Sequence, residues 1–282
     1  MTTVMHRAVD LLRSASESRP RAVVMTMGAL HEGHRTLMRE ARTIVGIDGE
    51  VVVTDFVNPL QFGNGEDFEA YPRTLDSDIA ACSAEGVDIV FAPDVYEMYG
   101  TAHPGSNPWA ITIDPGKLGE ELEGVARPGH FRGMLTVVHT LLGMTNSQFA
   151  LFGEKDYQQL TAIRSMVTEL RIPVSVVGIP TVREPDGLAM SSRNRFLGEQ
   201  ARARAAAIPR ALQAAVDHAS EGVDAMERAG RAALSGVDLI DYFEVRTPDL
   251  QARAERGSAR VLVAVQIDGV RLIDNVAAEV GS

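Results

Sequence analysis

One cysteine, two lysines and a 5% aromatic share are what this 282-residue chain has least of. A single thiol, Cys82, leaves no disulfide framework and no cysteine-rich zinc or iron–sulfur site, as expected in a reducing compartment. A chain of this length buries enough surface to fold without such staples. Aromatics this scarce do not make a stacking platform for single strands. Base is also short: 27 Lys and Arg face 38 Asp and Glu, for a net charge of −11. Through residue 181 there are 14 basic and 23 acidic residues (−9), and beyond it 13 and 15 (−2). A nucleic-acid or anionic-membrane binder needs a large basic face, so both classes are excluded. An anionic substrate would have to be drawn in by local geometry and not by the overall field. No apolar run approaches the ~20 residues of a membrane span. Residues 1–13 scatter charges and His6 through what would be the core of a secretion signal. The expectation is a cytoplasmic protein.

Short β-branched runs and helix-length amphipathic stretches are what fill the first 180 residues. Strands are expected at 22–26, 50–57, 88–91, 149–152 and 174–179, with helices at 34–45, 75–85, 134–143 and 157–170. Strands apolar on both faces and alternating with helices predict an α/β fold with a doubly wound parallel sheet. After Pro180 a polar, glycine-bearing stretch leads into an alanine-rich helical region. Strands at 241–245 and 260–265 follow, with a third candidate at 270–275. The reading is a catalytic domain over 1–181 and a smaller α+β domain over 182–282.

Four segments carry candidate chemistry. The first strand runs into Met27, Gly28, Ala29, Leu30, His31, Glu32, Gly33 and His34, then a helix. Open α/β sheets bind ligands at the carboxyl ends of their strands, where helix N-termini offer N–H groups to anions. Two glycines let backbone approach a phosphate, and two histidines three apart can place imidazole donors on it. Alone, such a pair is more often loop or capping histidines, and the spacing is wrong for a helical zinc motif. Gln61, just after the second strand and Asn58-Pro59, brings both a donor and an acceptor to the crevice. Gly153, Glu154, Lys155 and Asp156 form another strand-to-helix junction, and a rare lysine there suits a mobile point charge on phosphate. Asp156 taken alone reads as a helix cap. Ser191, Ser192 and Arg193 offer two hydroxyls and a forked guanidinium, a set suited to phosphate oxygens or to a plain polar linker.

Taken together the segments resemble one family over nearly the whole chain, the pantothenate synthetases or pantoate–β-alanine ligases. The matching blocks are T-M-G-A-L-H-E-G-H (26–34), F-V-N-P-L-Q-F-G (56–63), Y-P-R-T (71–74), R-P-G-H-F (127–131), F-G-E-K-D-Y-Q-Q-L (152–160) and D-G-L-A-M-S-S-R-N (186–194). The H-x-G-H element alone indicates only a Rossmann-like nucleotidyl-transferase domain. M-S-S-R resembles the mobile K-M-S-K-S loop of class I tRNA synthetases.

The resemblance implies a homodimer that uses Mg-ATP to make pantoyl adenylate, from which β-alanine displaces AMP. It implies that residues 27–34 line the ATP site, with His34 and His31 catalytic, Lys155 on phosphate and Asp156 on ribose. Val182 and residues 190–193, beginning with Met190, would close over the nucleotide, and Gln61 and Gln159 would hold pantoate. The 180s loop and second domain would act as a lid over the reactive anhydride. Three positions depart from the family pattern: Met25 replaces a proline, Asp55 an apolar residue and Ser77 an acid. The metal ligands are therefore left unassigned. A related nucleotidyltransferase acting on a phosphate ester would need more base near the acceptor than Gln61 and Gln159 provide. A non-enzymatic regulator would be expected to have lost His34 or Lys155.

Overall fold

The computed structural model describes residues 2–16, 18–63, 68–101 and 110–281. The chain forms two compact units, Met1–Glu154 with Ala162–Ile179, and Lys155–Thr161 with Pro180–Ser282. The boundary expected at 181/182 lies beside this division, which also assigns the segment after Glu154 to the second unit.

Unit 1 is built on β1 (Thr3–Met5), β2 (Arg21–Thr26), β3 (Glu50–Asp55), β4 (Ile89–Phe91), β5 (Phe149–Gly153) and β6 (Ser175–Ile179). All pair in parallel, in the order β1-β4-β3-β2-β5-β6. From β2 the chain builds outward through β3 and β4, then returns to β5 on the other side. The order therefore reverses between β2 and β5, and the crevice beyond such a reversal is where open sheets bind ligands. Burial on both faces explains the unbroken apolar runs. Val24, Val53 and Val90 pack on Leu37, Met38 and Ala41 of helix α2 (Glu32–Val45), while the alternate residues Val23 and Val52 are fully buried on the opposite side.

The expected strands and helices are present, with shifted ends. β3 stops at Asp55, two residues early, and the helix expected from 134, α6 (His130–Thr145), starts four residues earlier. Among the elements with no counterpart in the sequence reading are β1 and α1 (Ala8–Ser14). Buried Arg21 explains the second. Its guanidinium donates to Glu50 (2.6 Å), to the Thr145 carbonyl (2.8 Å) and to Ser14 Oγ (2.9 Å), tying α1, α6 and the sheet together. Such a charge is tolerated only because it is paired and hydrogen-bonded throughout.

Before residue 180 the described residues also include helices α3 (Leu75–Ala84), α4 (Val95–Tyr99), α5 (Glu123–Ala126) and α7 (Tyr157–Glu169). Unit 2 packs α8 (Glu199–Ala205), α9 (Ala207–Asp217) and α10 (Val223–Ala233) on an antiparallel sheet of β7 (Leu239–Arg246), β8 (Gly257–Ile267) and β9 (Val270–Val280). Ala201, Ala205, Ala211 and Ala215 of the alanine-rich region are fully buried in this core. At Gly230 even a methyl has no room, since a Cβ would lie 2.0 Å from the Phe243 ring. β8 and β9 join through Asp268-Gly269, both at positive φ, as a two-residue hairpin turn requires. β9 continues past residue 275, where the strand was expected to end, to Val280.

Candidate active site

The segment after β2 is shaped by two consecutive left-handed residues, Gly28 (φ 78°) and Ala29 (φ 52°). Alanine there is strained, and buried Asp78 of α3 offsets the strain by accepting the N–H groups of Ala29 (3.0 Å) and Leu30 (2.9 Å). Thr74 Oγ1 donates to the same carboxylate at 2.8 Å. Asp78 thus locks the loop, a role the sequence reading did not give it. Gly28 has no room for a side chain: a Cβ would lie 2.7 Å from Asp55 Oδ1 and 3.1 Å from Asp78 Oδ2. Its near side meets carboxyls. Gly33 likewise makes space for the His31 ring, which a Cβ would meet at 2.9 Å.

The two histidines form the cap of α2. His31 Nδ1 accepts from Gly33 N–H (3.1 Å), and His34 Nδ1 accepts from His31 N–H (3.2 Å). An acceptor Nδ1 carries no proton, so in both neutral rings the N–H lies on Nε2. The rings lie 4.1 Å apart. Capping and donation are therefore compatible, because they use different nitrogens. Glu32, in the first turn, pairs with Arg39.

At the end of β3, Asp55 is half-buried, and burial followed by the charge of Asp78 pushes its carboxyl up to about 6. Cys82, fully buried nearby, is pushed up to about 12, chiefly by burial and then by Asp55 and Asp78, which makes it an inert core thiol. Asn58 opens the short 3-10 turn Pro59–Gln61. Gln61 is buried, with its Oε1 accepting from Asn58 Nδ2 (3.1 Å) and its Nε2 2.8 Å from Met27 Sδ. Two sequence-chosen residues, Met27 and Gln61, are thus in contact. α6 holds the turn in place: Gly133 lies so close to the Leu60 carbonyl that no Cβ fits. His130 Nδ1 donates to the Gln61 carbonyl (2.9 Å), and Arg127 supports His130 Nε2 at 3.1 Å. The R-P-G-H-F block was the sequence signal for these two supports.

β5 delivers Gly153 and Glu154 to the same carboxyl edge. In unit 2, Lys155 Nζ lies 3.5 Å from Asp156 Oδ1, and the Lys155 carbonyl accepts from Asn275 Nδ2 (2.8 Å). Asn275 is held by Arg260 (2.6 Å), whose guanidinium also sits 4.0 Å over the Tyr157 ring. Gln159 is half-buried in the first turn of α7. The 183–194 segment is a cross-linked hairpin, more firmly held than its polar composition suggested. Arg183 forks onto Asp274 (2.6 and 3.1 Å), Met190 N–H donates to the Val182 carbonyl (2.9 Å), and Leu188 and Ala189 are buried. Ser191 Oγ accepts from Arg193 N–H (3.3 Å), starting a 3-10 turn at Ser192.

Comparison with known proteins bears on this arrangement directly. The family model described as pantoate-beta-alanine ligase matches residues 2–277. The chain belongs to the pantoate–β-alanine ligase family. A pantothenate synthetase from Mycobacterium sp. (strain KMS) is 51% identical over 278 residues, covering 97% of this chain and 86% of that one. The crystal structure of pantothenate synthetase from Thermus thermophilus superposes with a TM-score of 0.88 at 42% identity, covering 98% and 99% of the two chains. The Francisella tularensis pantoate-beta-alanine ligase, solved with beta-gamma ATP and beta-alanine, gives 0.80 at 31% identity, covering 98% and 97%. Membership makes the chain an ATP-dependent ligase and does not favour the phosphate-ester nucleotidyltransferase alternative. Among the described residues no group of three or more His, Cys, Asp or Glu could hold a metal ion, and Asp78 is occupied by the loop. Ser77, standing where the family resemblance led one to expect an acid, donates to the Thr74 carbonyl (2.8 Å). These side chains form no ready-made cage for a divalent cation among the described residues. No helix among the described residues is long and apolar enough to cross a membrane.

Proposed function

We propose that this ligase condenses pantoate with β-alanine through pantoyl adenylate, releasing AMP and pyrophosphate. The observation that carries the reading is the meeting of Met27 and Gln61 at the adjoining ends of β2 and β3, beside a helix N-terminus capped by His31 and His34. A pantoate carboxylate oxygen attacks the α-phosphorus of ATP, and the bond to pyrophosphate breaks. The β-alanine amine then attacks the acyl carbon, loses a proton, and AMP leaves with the carboxylate oxygen. Both steps are problems of placement and charge, needing little covalent help from protein.

His34 and His31 donate from Nε2 to phosphate oxygens as charge develops, aided by the α2 N-terminus. Lys155 adds a point charge on phosphate, Asp156 takes the ribose, and Ser191, Ser192 and Arg193 take the polyphosphate. Val182 and Met190 cover adenine. Neutral Gln61 and Gln159 hold pantoate, because a fixed anion would repel its carboxylate. ATP enters as its magnesium complex, with the ion carried on the phosphates as part of the substrate. The 190s segment shields the mixed anhydride from water. The family resemblance supports a cytoplasmic homodimer. Sustained AMP release should require pantoate and β-alanine together; AMP release from ATP with either one omitted at the full rate would overturn the reading.

A further inference from the structure

We propose that Tyr99, at the end of α4, is a positioning residue for the acid substrate: with the Leu60 N–H and the Gly133 carbonyl it holds Asn58, and through Asn58 it sets which end of the Gln61 amide is presented. The inference rests on the reading that Gln61 holds pantoate. An amide's oxygen and nitrogen ends are alike in shape and opposite in chemistry, so the partners decide its orientation. Around Asn58 the partners are unambiguous. Leu60 N–H, which can only donate, lies 3.1 Å from Oδ1, and the Gly133 carbonyl, which can only accept, lies 3.2 Å from Nδ2. Oδ1 is thus the end facing Tyr99, and the phenol donates to it at 2.7 Å. Nδ2 faces Gln61 and donates to its Oε1 at 3.1 Å. Gln61 is left with Nε2 against the Met27 thioether at 2.8 Å, a weak acceptor that a substrate oxygen can outcompete.

The relay turns Gln61 into an N–H donor, the end that suits a carboxylate or hydroxyl oxygen; the reversed amide would face that oxygen with its own. Burial pushes the pKa of the Tyr99 hydroxyl well above its ordinary range, so the phenol remains a donor at working pH. The tyrosine itself is set by local geometry. Asp94 Oδ1 caps α4 at the Glu97 N–H (2.7 Å), Gly100 ends the helix in the left-handed region (φ 66°), and the ring lies 6.2 Å from Phe56.

Tyr99→Phe keeps the ring and removes only the donor. It should raise the pantoate KM roughly 3- to 10-fold, the scale of one neutral hydrogen bond, with kcat and the ATP KM within about twofold. A structural role would add to any other lesion, whereas a role through Gln61 would not. Gln61→Ala with Tyr99→Phe should therefore show the pantoate KM of Gln61→Ala alone. An unchanged pantoate KM in Tyr99→Phe, or the same fold increase with Gln61 already removed, would overturn the proposal while leaving Gln61 as a pantoate ligand. A pantoate KM unmoved by Gln61→Ala would instead refute the Gln61 reading, and the Tyr99 proposal with it.

Discussion

Replacing Asp55 with asparagine should stabilise the protein by an amount that grows as pH rises from about 4 to 7. The carboxyl ends β3 beneath Gly28 with Asp78 beside it, and burial first and Asp78 second raise it from 3.8 to about 6. A shift of that size disfavours the ionised form in the native state by about 3 kcal/mol. Partial exposure of the side chain brings a realistic figure to about 2 kcal/mol. The native value lies above the unfolded one, so the penalty is absent below about pH 4, where both states bind the proton. It grows as pH rises and is complete above about pH 6. Asp55→Asn removes it. Urea unfolding should give a gain of about 2 kcal/mol at pH 8, about half of that near pH 5, and little of it at pH 4. The amide can also donate to Asp78, which adds a pH-independent gain, so the difference between pH values is the measurement. A gain equal at pH 5 and 8, or one that shrinks as pH rises, would refute the assignment of an ionised, unfavourably placed Asp55.

Single-residue kinetics should separate the roles. His34→Ala and Lys155→Ala should each lower kcat by ~10²- to 10³-fold, the scale of one transition-state donor, with little change in pantoate binding; a loss confined to the pantoate KM would place these residues on the wrong substrate. Hydrogen exchange without ligand should find residues 183–190 protected, because Arg183 and the buried Leu188 anchor the hairpin. With ATP and pantoate, added protection should fall on 191–194, and equal protection in both states would remove the lid role.

The sheet was readable because its strands are buried on both faces, which leaves unbroken β-branched runs such as Val51, Val52 and Val53. β1 escaped because three edge residues carry no period, and α1 because Arg21, a residue outside the helix, holds it. β9 was expected only over 270–275, yet it runs on to Val280, and Asp274 and Asn275 within it are buried where they anchor Arg183, Arg260 and the Lys155 carbonyl. Candidate chemistry was legible where it follows a strand, since such a position has few other uses for paired histidines. Its supports were not. Asp78 lies 49 residues from Ala29, and Tyr99 lies 41 from Asn58, so only the fold brings them together. The glycines carried a mixed message: Gly28 and Gly33 are required by the carboxyls and the imidazole against them.

The central claim is attack of the pantoate carboxylate on the α-phosphorus, and the fate of that oxygen tests it most directly. Pantoate labelled with ¹⁸O in its carboxylate, turned over with ATP and β-alanine, should leave one labelled oxygen in AMP and none in pyrophosphate. Label in inorganic phosphate, with ADP as the other product, would mean an acyl phosphate and contradict the account.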